Sequence, residues 1–270
     1  MNPTRHHQML AVTIGIGQAS TTMDDDAERL SVIKAFAAAL ARQRGNTPAM
    51  LILPELFLSG YARTLRAPSR AADSDDRYLP LIRDIARDQQ LWIVTGLARS
   101  RPHGITNSAV AIRPDGQVIA EYDKVCLFGE AEKKAFAAGR EIIVFDSPLG
   151  RTALAICFDV EQADIVNQMA RAGATNLLVP TANMSPYEQV PLETLPARAA
   201  EAGVRIVYAN YAGIDGDLTM LGQSTVIDST GTTLALLGDS PELATVHMDQ
   251  EQAGRLGTVS QPAEDPSLMQ

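Results

Sequence analysis

Short apolar runs alternate along this chain with longer amphipathic stretches, and two of the runs, Ala49 to Leu53 and Asn176 to Val179, are stopped by a proline. An apolar run too short for a helix reads as a buried strand. An apolar period near 3.6 residues reads as a helix that covers a sheet. The strand runs are Met9 to Gly17, Ala49 to Leu53, Leu91 to Leu97, Thr152 to Ile156, Asn176 to Val179, Val204 to Asn210 and Ala244 to Met248. Residues 24–44, 75–90, 163–172 and 192–202 carry helical spacing. Two hairpins interrupt the alternation. One joins Asn107–Ile112 to Gln117–Tyr122 about Pro114-Asp115-Gly116, and the other joins Ser224–Asp228 to Thr232–Leu237 about Ser229-Thr230-Gly231. Crossover helices imply parallel neighbours and hairpins imply antiparallel ones. The expectation is therefore an α/β fold of mixed sheets covered by helices, not a purely parallel doubly wound sheet. No linker-like run, low-complexity segment or repeat divides the chain, so a single domain over residues 1–270 is expected, with residues 250–270 as an acidic, proline-containing C-terminal tail.

Composition removes several classes of function. With 46% hydrophobic and 20% charged residues the chain can bury a substantial core. A formal net charge of −9 argues against nucleic acid or an anionic membrane as partner. Two cysteines are too few for a disulfide framework, which points to a reducing, cytoplasmic compartment. None of the four histidines stands at ligand spacing beside a carboxylate or cysteine, and the pair His6-His7 lies by the terminus, so no metal site is expected. Leu10 to Ile16, preceded by Arg5, is broken by Thr13 and Gly15 and lacks a small-residue cleavage pattern; it reads as a first strand, not a signal peptide. No apolar stretch approaches the roughly 20 residues that span a bilayer.

Chemistry gathers where strands end. Cys157 closes the run Thr152 to Ile156, and Phe158-Asp159-Val160-Glu161 leads into the helical stretch. A thiol at such an elbow lies near helix N–H dipoles, which predicts a lowered pKa and backbone N–H groups aimed at whatever the sulfur attacks. A buried structural cysteine is the competing reading. Glu55 follows Met50-Leu51-Ile52-Leu53-Pro54, and Lys124 follows the hairpin arm ending at Tyr122. Alone, Glu55 reads as a solvated loop carboxylate and Lys124 as a charge that blunts a sheet edge. Together the three suit one reaction. A carboxylate takes the thiol proton, the thiolate attacks a C=O or C≡N carbon, and the cation stabilises the charge that develops.

Leu53-Pro54-Glu55-Leu56-Phe57-Leu58-Ser59-Gly60-Tyr61, Tyr122-Asp123-Lys124-Val125-Cys126-Leu127-Phe128 and Ala155-Ile156-Cys157-Phe158-Asp159 resemble the three signature segments of the nitrilase superfamily, the carbon–nitrogen hydrolases with a Glu–Lys–Cys site. The likeness continues through residues 178–184, Arg198-Ala199, residues 208–211 and Gly222-Gln223-Ser224, so it covers nearly the whole chain. It implies a four-layer αββα sandwich. It also implies Cys157 as nucleophile, Glu55 as general base, Lys124 as oxyanion stabiliser aided by the Phe158 backbone N–H, and no cofactor. The segment Lys124 to Glu132 resembles the one that carries a second active-site glutamate, which by position is Glu132; a solvated charge in a polar loop is its ordinary reading. Cys126 stands where family members often have His. Gln162-Ala163-Asp164 replaces a more usual Phe-Pro-Glu, and Ala202 stands where Asn is common.

Residues 179–187 and 208–213 are most similar to small aliphatic amidases of the aminopentanamidase type. This likeness implies Tyr61, Asn183, Met184 and Tyr187 as pocket residues. Core packing or a turn is the ordinary reading of each. The expected activity is hydrolysis of a short aliphatic amide, ω-amino amides among the candidates, to carboxylate and ammonia through a Cys thioester. A nitrilase using the same residues and a catalytically silent binding protein on the same fold are the rivals. Only 5% of residues are aromatic, which disfavours an aromatic-lined pocket. Family resemblance further implies a homodimer or larger even assembly, paired through residues 158–173 and the helix from Leu192.

Overall fold

The computed structural model describes residues 11–23 and 25–248 and the backbone of residues 258–262; the His6-His7 pair and the rest of the 250–270 tail lie outside the described residues. The first half carries β1 (Val12–Ser20), α1 (Asp26–Gln43), β2 (Ala49–Ile52), α2 (Tyr61–Arg66), α3 (Pro68–Gln89), β3 (Trp92–Arg101), β4 (Gly104–Ile112), β5 (Val118–Asp123) and α4 (Gly129–Ala135). Next come β6 (Glu141–Ser147), β7 (Gly150–Leu154), a 3-10 turn over Cys157–Glu161, α5 (Ala163–Arg171), β8 (Asn176–Pro180), a π turn over Val190–Thr194 and α6 (Leu195–Ala202). The chain continues through β9 (Arg205–Ala209), β10 (Tyr211–Asp215), β11 (Leu218–Leu221), β12 (Thr225–Ile227), β13 (Thr233–Leu236), β14 (Glu242–Met248) and β15 (Thr258–Pro262).

These strands make two mixed sheets. One runs β11-β10-β1-β2-β3-β4-β5 with β14 also on β1, and the other runs β13-β12-β9-β8-β7-β6-β15. Within each, three neighbours joined by crossover helices are parallel: β1, β2 and β3 in the first, β7, β8 and β9 in the second. Alternation along the strands decides what each face meets. Ile14, Ile16, Met50, Ile52 and Val94 share one apolar cluster with Val144, Ala153, Leu178 and Val207, which is the layer between the sheets. Leu51, Leu53 and Ile93 point the other way, into a second cluster with Ile33, Leu40, Ile82 and Ile85 of α1 and α3. On the second sheet α5 and α6 bury Ile165, Met169, Leu195 and Ala199. The result is helix, sheet, sheet, helix.

Several elements differ from expectation. Helix α3 starts at Pro68, not Asp75, because its first turns bury only small or polar residues, Ala71, Ala72 and Asp75. Residues 130–134 form part of helix α4 and not a polar loop. The 250–270 segment is not tail throughout, since Thr258–Pro262 pairs antiparallel with β6.

Candidate active site

The C-terminal ends of β2, β7 and β8 converge, and each delivers a polar residue there. Pro54 ends the β2 run and Glu55 follows on a turn in which Leu56 has φ of 48°. Gly96 of β3 makes this turn possible: a Cβ there would lie 2.3 Å from the Leu56 nitrogen and 2.6 Å from the Glu55 Cα. The Glu55 main chain is pinned on both sides. Its N–H donates to the Thr181 carbonyl at 3.2 Å, and its carbonyl accepts from the Tyr211 hydroxyl at 2.9 Å.

Lys124 and Glu132 complete a buried row of charges. Lys124 Nζ donates to Glu55 Oε1 at 2.8 Å and to Glu132 Oε1 at 2.9 Å, with all three side chains out of solvent. Glu55 Oε1 also accepts from Asn107 Nδ2 at 2.6 Å, while its Oε2 is buried without a partner. Tyr61 donates to Glu132 Oε1 at 2.8 Å, and the Phe128 N–H donates to Glu132 Oε2 at 2.8 Å. Glu130, Lys133 and Lys134 of α4 face water while Glu132 faces inward, so the helical period separates one buried charge from its exposed neighbours.

Electrostatics follow from that burial. Desolvation, with help from Glu132, pushes the Glu55 carboxyl up to about 7 against the opposing pull of Lys124. Burial alone would lower the Lys124 ammonium, but the Glu55 and Glu132 carboxylates override it and hold its pKa well above the usual range. A carboxylate poised near neutrality is suited to take and return a proton.

Cys157 stands at φ of 45° at the start of the 3-10 turn. Its thiol is pushed up, first by burial and then by Glu55, against Lys124 and the Thr181 hydroxyl. This corrects the lowered thiol pKa that the elbow predicts. The helix proper begins only at Ala163, and burial next to a carboxylate outweighs the few N–H dipoles of a single 3-10 turn. A thiol held this way needs a base before it can attack. Asp159 ties this turn to the Lys124 segment: Oδ1 accepts from the Cys126 N–H at 2.7 Å, and Oδ2 accepts from the Tyr122 hydroxyl at 2.9 Å and the Ile156 N–H at 3.1 Å.

The other expected site residues divide. Tyr61 is buried and braces Glu132. Asn183 is buried with its Nδ2 on the Tyr187 carbonyl at 3.1 Å and its N–H on Asn210 Oδ1 at 2.9 Å, so its side chain staples the loop after β8. Met184 is half-buried and bridges to Met220. Phe158 and Tyr187 both pack edge-on against Phe128, with centroids 5.3 Å and 5.5 Å apart. Three of the few rings thus gather on the segments that carry Cys157 and the Glu132 clamp. Sequence reasoning passes over Asn107, Asp159, Thr181 and Tyr208. The last two carry buried hydroxyls: that of Thr181 acts on the Cys157 thiol, and the thiol and Thr181 both act on that of Tyr208. Of the four, only Asp159 lies inside a quoted signature segment.

Sandwich and site together are those of hydrolases that work on carbon–nitrogen bonds. The chain belongs to the carbon-nitrogen hydrolase family, whose model matches residues 13–257. It is similar to the "Hydrolase in pqqF 5'region" of Pseudomonas protegens, at 34% identity over 212 residues covering 76% of this chain and 73% of the relative. An (R)-stereoselective amidase of a Pseudomonas species is 28% identical over 79% of this chain and 77% of its own. Among solved structures, an amidase from Nesterenkonia sp. superposes with a TM-score of 0.81 at 32% identity, over 90% of this chain and 91% of that one. This protein is accordingly a hydrolase acting on carbon–nitrogen bonds.

Proposed function

We propose that the chain hydrolyses a short aliphatic amide to carboxylate and ammonia, with Cys157 as nucleophile. The observation that carries this reading is the buried row Glu55–Lys124–Glu132 beside a protonated thiol, which supplies a base near neutrality and a fixed positive charge. Glu55 takes the thiol proton as the sulfur bonds to the amide carbon, and the carbonyl π pair moves to oxygen. Lys124 and the Phe158 N–H stabilise that oxyanion. The adduct collapses, the C–N bond breaks, and the proton held by Glu55 leaves on ammonia. Glu55 then takes a proton from water, the hydroxide attacks the thioester, and the departing thiolate recovers the proton. Glu132 holds Lys124 in line and, with Tyr61 behind it, orients the amide. Phe128, Phe158, Met184 and Tyr187 form the apolar wall for the acyl chain.

Support for a small amide comes from the relatives: a variant of the Nesterenkonia amidase is in complex with butyramide, at 31% identity and a TM-score of 0.80. The narrower aminopentanamidase likeness rests on residues 179–187 and 208–213. A nitrile would use the same thiolate through a thioimidate, so matched amide and nitrile pairs separate the two. The amide of each pair is expected to show the higher kcat/KM for ammonia release. Faster turnover of the nitrile would overturn the amidase assignment and leave the nucleophile standing.

A further inference from the structure

Helix α3 buries Ala71, Ala72, Leu79, Ile82 and Ile85 along one stripe, and Asp75 stands in that stripe, fully out of solvent. An apolar residue is the ordinary occupant of such a position, and a buried carboxyl is tolerated only when hydrogen bonds hold it. Asp75 has two. Its Oδ2 accepts from the Ala98 N–H of β3 at 2.6 Å and from the Ser59 hydroxyl at 3.1 Å, while its Oδ1 is buried without a partner. Burial pushes the carboxyl up to about 8 against the pull of those two bonds, so near neutrality it is chiefly the neutral acid.

The two bonds join the edge of β3 to the segment that carries the site. Along that edge the Leu53 N–H donates to the Val94 carbonyl at 2.9 Å, the Gly96 N–H to the Pro54 carbonyl at 3.1 Å and the Phe57 N–H to the Gly96 carbonyl at 3.0 Å. The segment then closes a turn, with the Gly60 N–H on the Leu56 carbonyl at 2.8 Å. Two residues beyond Gly96, the Ala98 N–H meets the Asp75 carboxyl where a further stretch of backbone would otherwise lie. That carboxyl reaches back to Ser59, which is buried and also accepts from the Thr64 hydroxyl at 2.8 Å. Ser59 stands between two site residues in the chain: Glu55 precedes it, and Tyr61, the brace of Glu132, follows it. Asp75 thus stands in for a missing strand and bonds to neither Glu55 nor Tyr61.

We propose that Asp75 is a positioning residue for the reaction: by fixing Ser59 against β3 it sets Glu55 toward the Cys157 thiol and Tyr61 against Glu132. This rests on the reading of Glu55 as the base for Cys157. Loss of the link lets the 55–61 segment shift, and a displacement of about 1 Å at a catalytic group costs about 10²-fold in rate.

The test uses Asp75→Ala, Ser59→Ala, their double variant and Asp75→Asn, with kcat and KM for a small aliphatic amide and iodoacetamide incorporation at Cys157 at neutral pH. Each alanine variant should lower kcat by about 10- to 100-fold with a smaller change in KM, and should slow alkylation of the thiol in step. The double variant should fall no further than the worse single one, because both break the same link. Asp75→Asn should restore most of the rate, since its carbonyl oxygen can accept both bonds. A melting temperature that falls while kcat and alkylation of the folded protein stay at wild-type values would reduce Asp75 to a stability role and overturn the proposal. Losses that multiply in the double variant, or an Asn variant as slow as the Ala variant, would overturn it too. Should Asp75→Ala fail to fold, Ser59→Ala carries the same test. Failure of this assignment leaves Glu55→Gln impaired, whereas wild-type alkylation and turnover in Glu55→Gln would remove the base on which the proposal rests.

Discussion

Cys157→Ala is expected to lower kcat by at least about 10⁴-fold, because covalent catalysis has no substitute for the atom that forms the bond. Cys126→Ser is expected to retain most of the activity. The contrast is informative because both thiols are half-buried and they sit on segments tied to one another: the Cys126 N–H donates to Asp159, two residues beyond Cys157. What separates them is placement. Cys157 occupies the φ 45° position that ends the β7 run, and the Glu55 and Lys124 charges act on its thiol. Cys126 contributes its backbone to holding that turn, a role serine can fill. Ammonia release from a small amide, measured with each variant, checks the pair; loss of activity in Cys126→Ser with retention in Cys157→Ala would reverse the assignment.

Lys124→Met should damage both stability and catalysis. Its ammonium is the shared partner of two buried carboxylates at 2.8 and 2.9 Å, and removing it leaves Glu55 and Glu132 facing one another without compensation. Breaking a buried pair from one side costs about 3–5 kcal/mol. The variant protein should therefore melt well below the wild type at neutral pH. Its deficit should shrink in acid. Without Lys124 the Glu55 carboxyl rises further above its ordinary value of 4.5, so the folded state binds more protons than the unfolded chain, and stability falls as pH rises through that window. Loss of the oxyanion's cation should cost about 10²–10³-fold in kcat on top of this. Calorimetry across pH and steady-state kinetics on the same preparation separate the two effects. A Tm equal to the wild type at neutral pH would show that the row is not a mutually dependent unit.

Much of this architecture is legible because strong local signals agree with the tertiary outcome. The runs at Ala49, Leu91, Asn176 and Val204 become the central parallel strands, with boundaries shifted by only a few residues. What escapes has identifiable causes. Strand β6 is a short run, Ile142 to Phe145, buried on both faces, and such a run has no period to distinguish it from a buried helical segment. Strands β10 and β11 are short, carry Gly213 and an exposed Ile214, and are joined by a tight turn at Gly216; the pairing of β10 with β1 is a long-range event that no local pattern announces. At the site, the residues that carry a chemical signature in sequence are legible, and the polar atoms that only hold them are not. Asn107 reads as a hairpin residue, yet its side chain donates to Glu55. Thr181 and Tyr208 read as strand ends, and only the convergence of β8 and β9 beside Cys157 gives their hydroxyls a meaning. Burial is also what inverts the expected thiol pKa, and sequence shows an elbow without showing how deep it lies.

The central claim is that Glu55 is the base for Cys157, and alkylation of that thiol tests it most directly. Iodoacetamide incorporation at Cys157, followed by mass spectrometry across pH, requires no substrate. Since the thiol is held protonated and Glu55 must be ionised to receive its proton, the rate should rise with pH through a midpoint of about 7. Below that midpoint it should fall about tenfold per pH unit. In Glu55→Gln this rise should vanish, leaving reaction only at a pH well above the usual thiol range. A midpoint near the ordinary thiol value of about 8.5, identical in wild type and Glu55→Gln, would contradict the assignment.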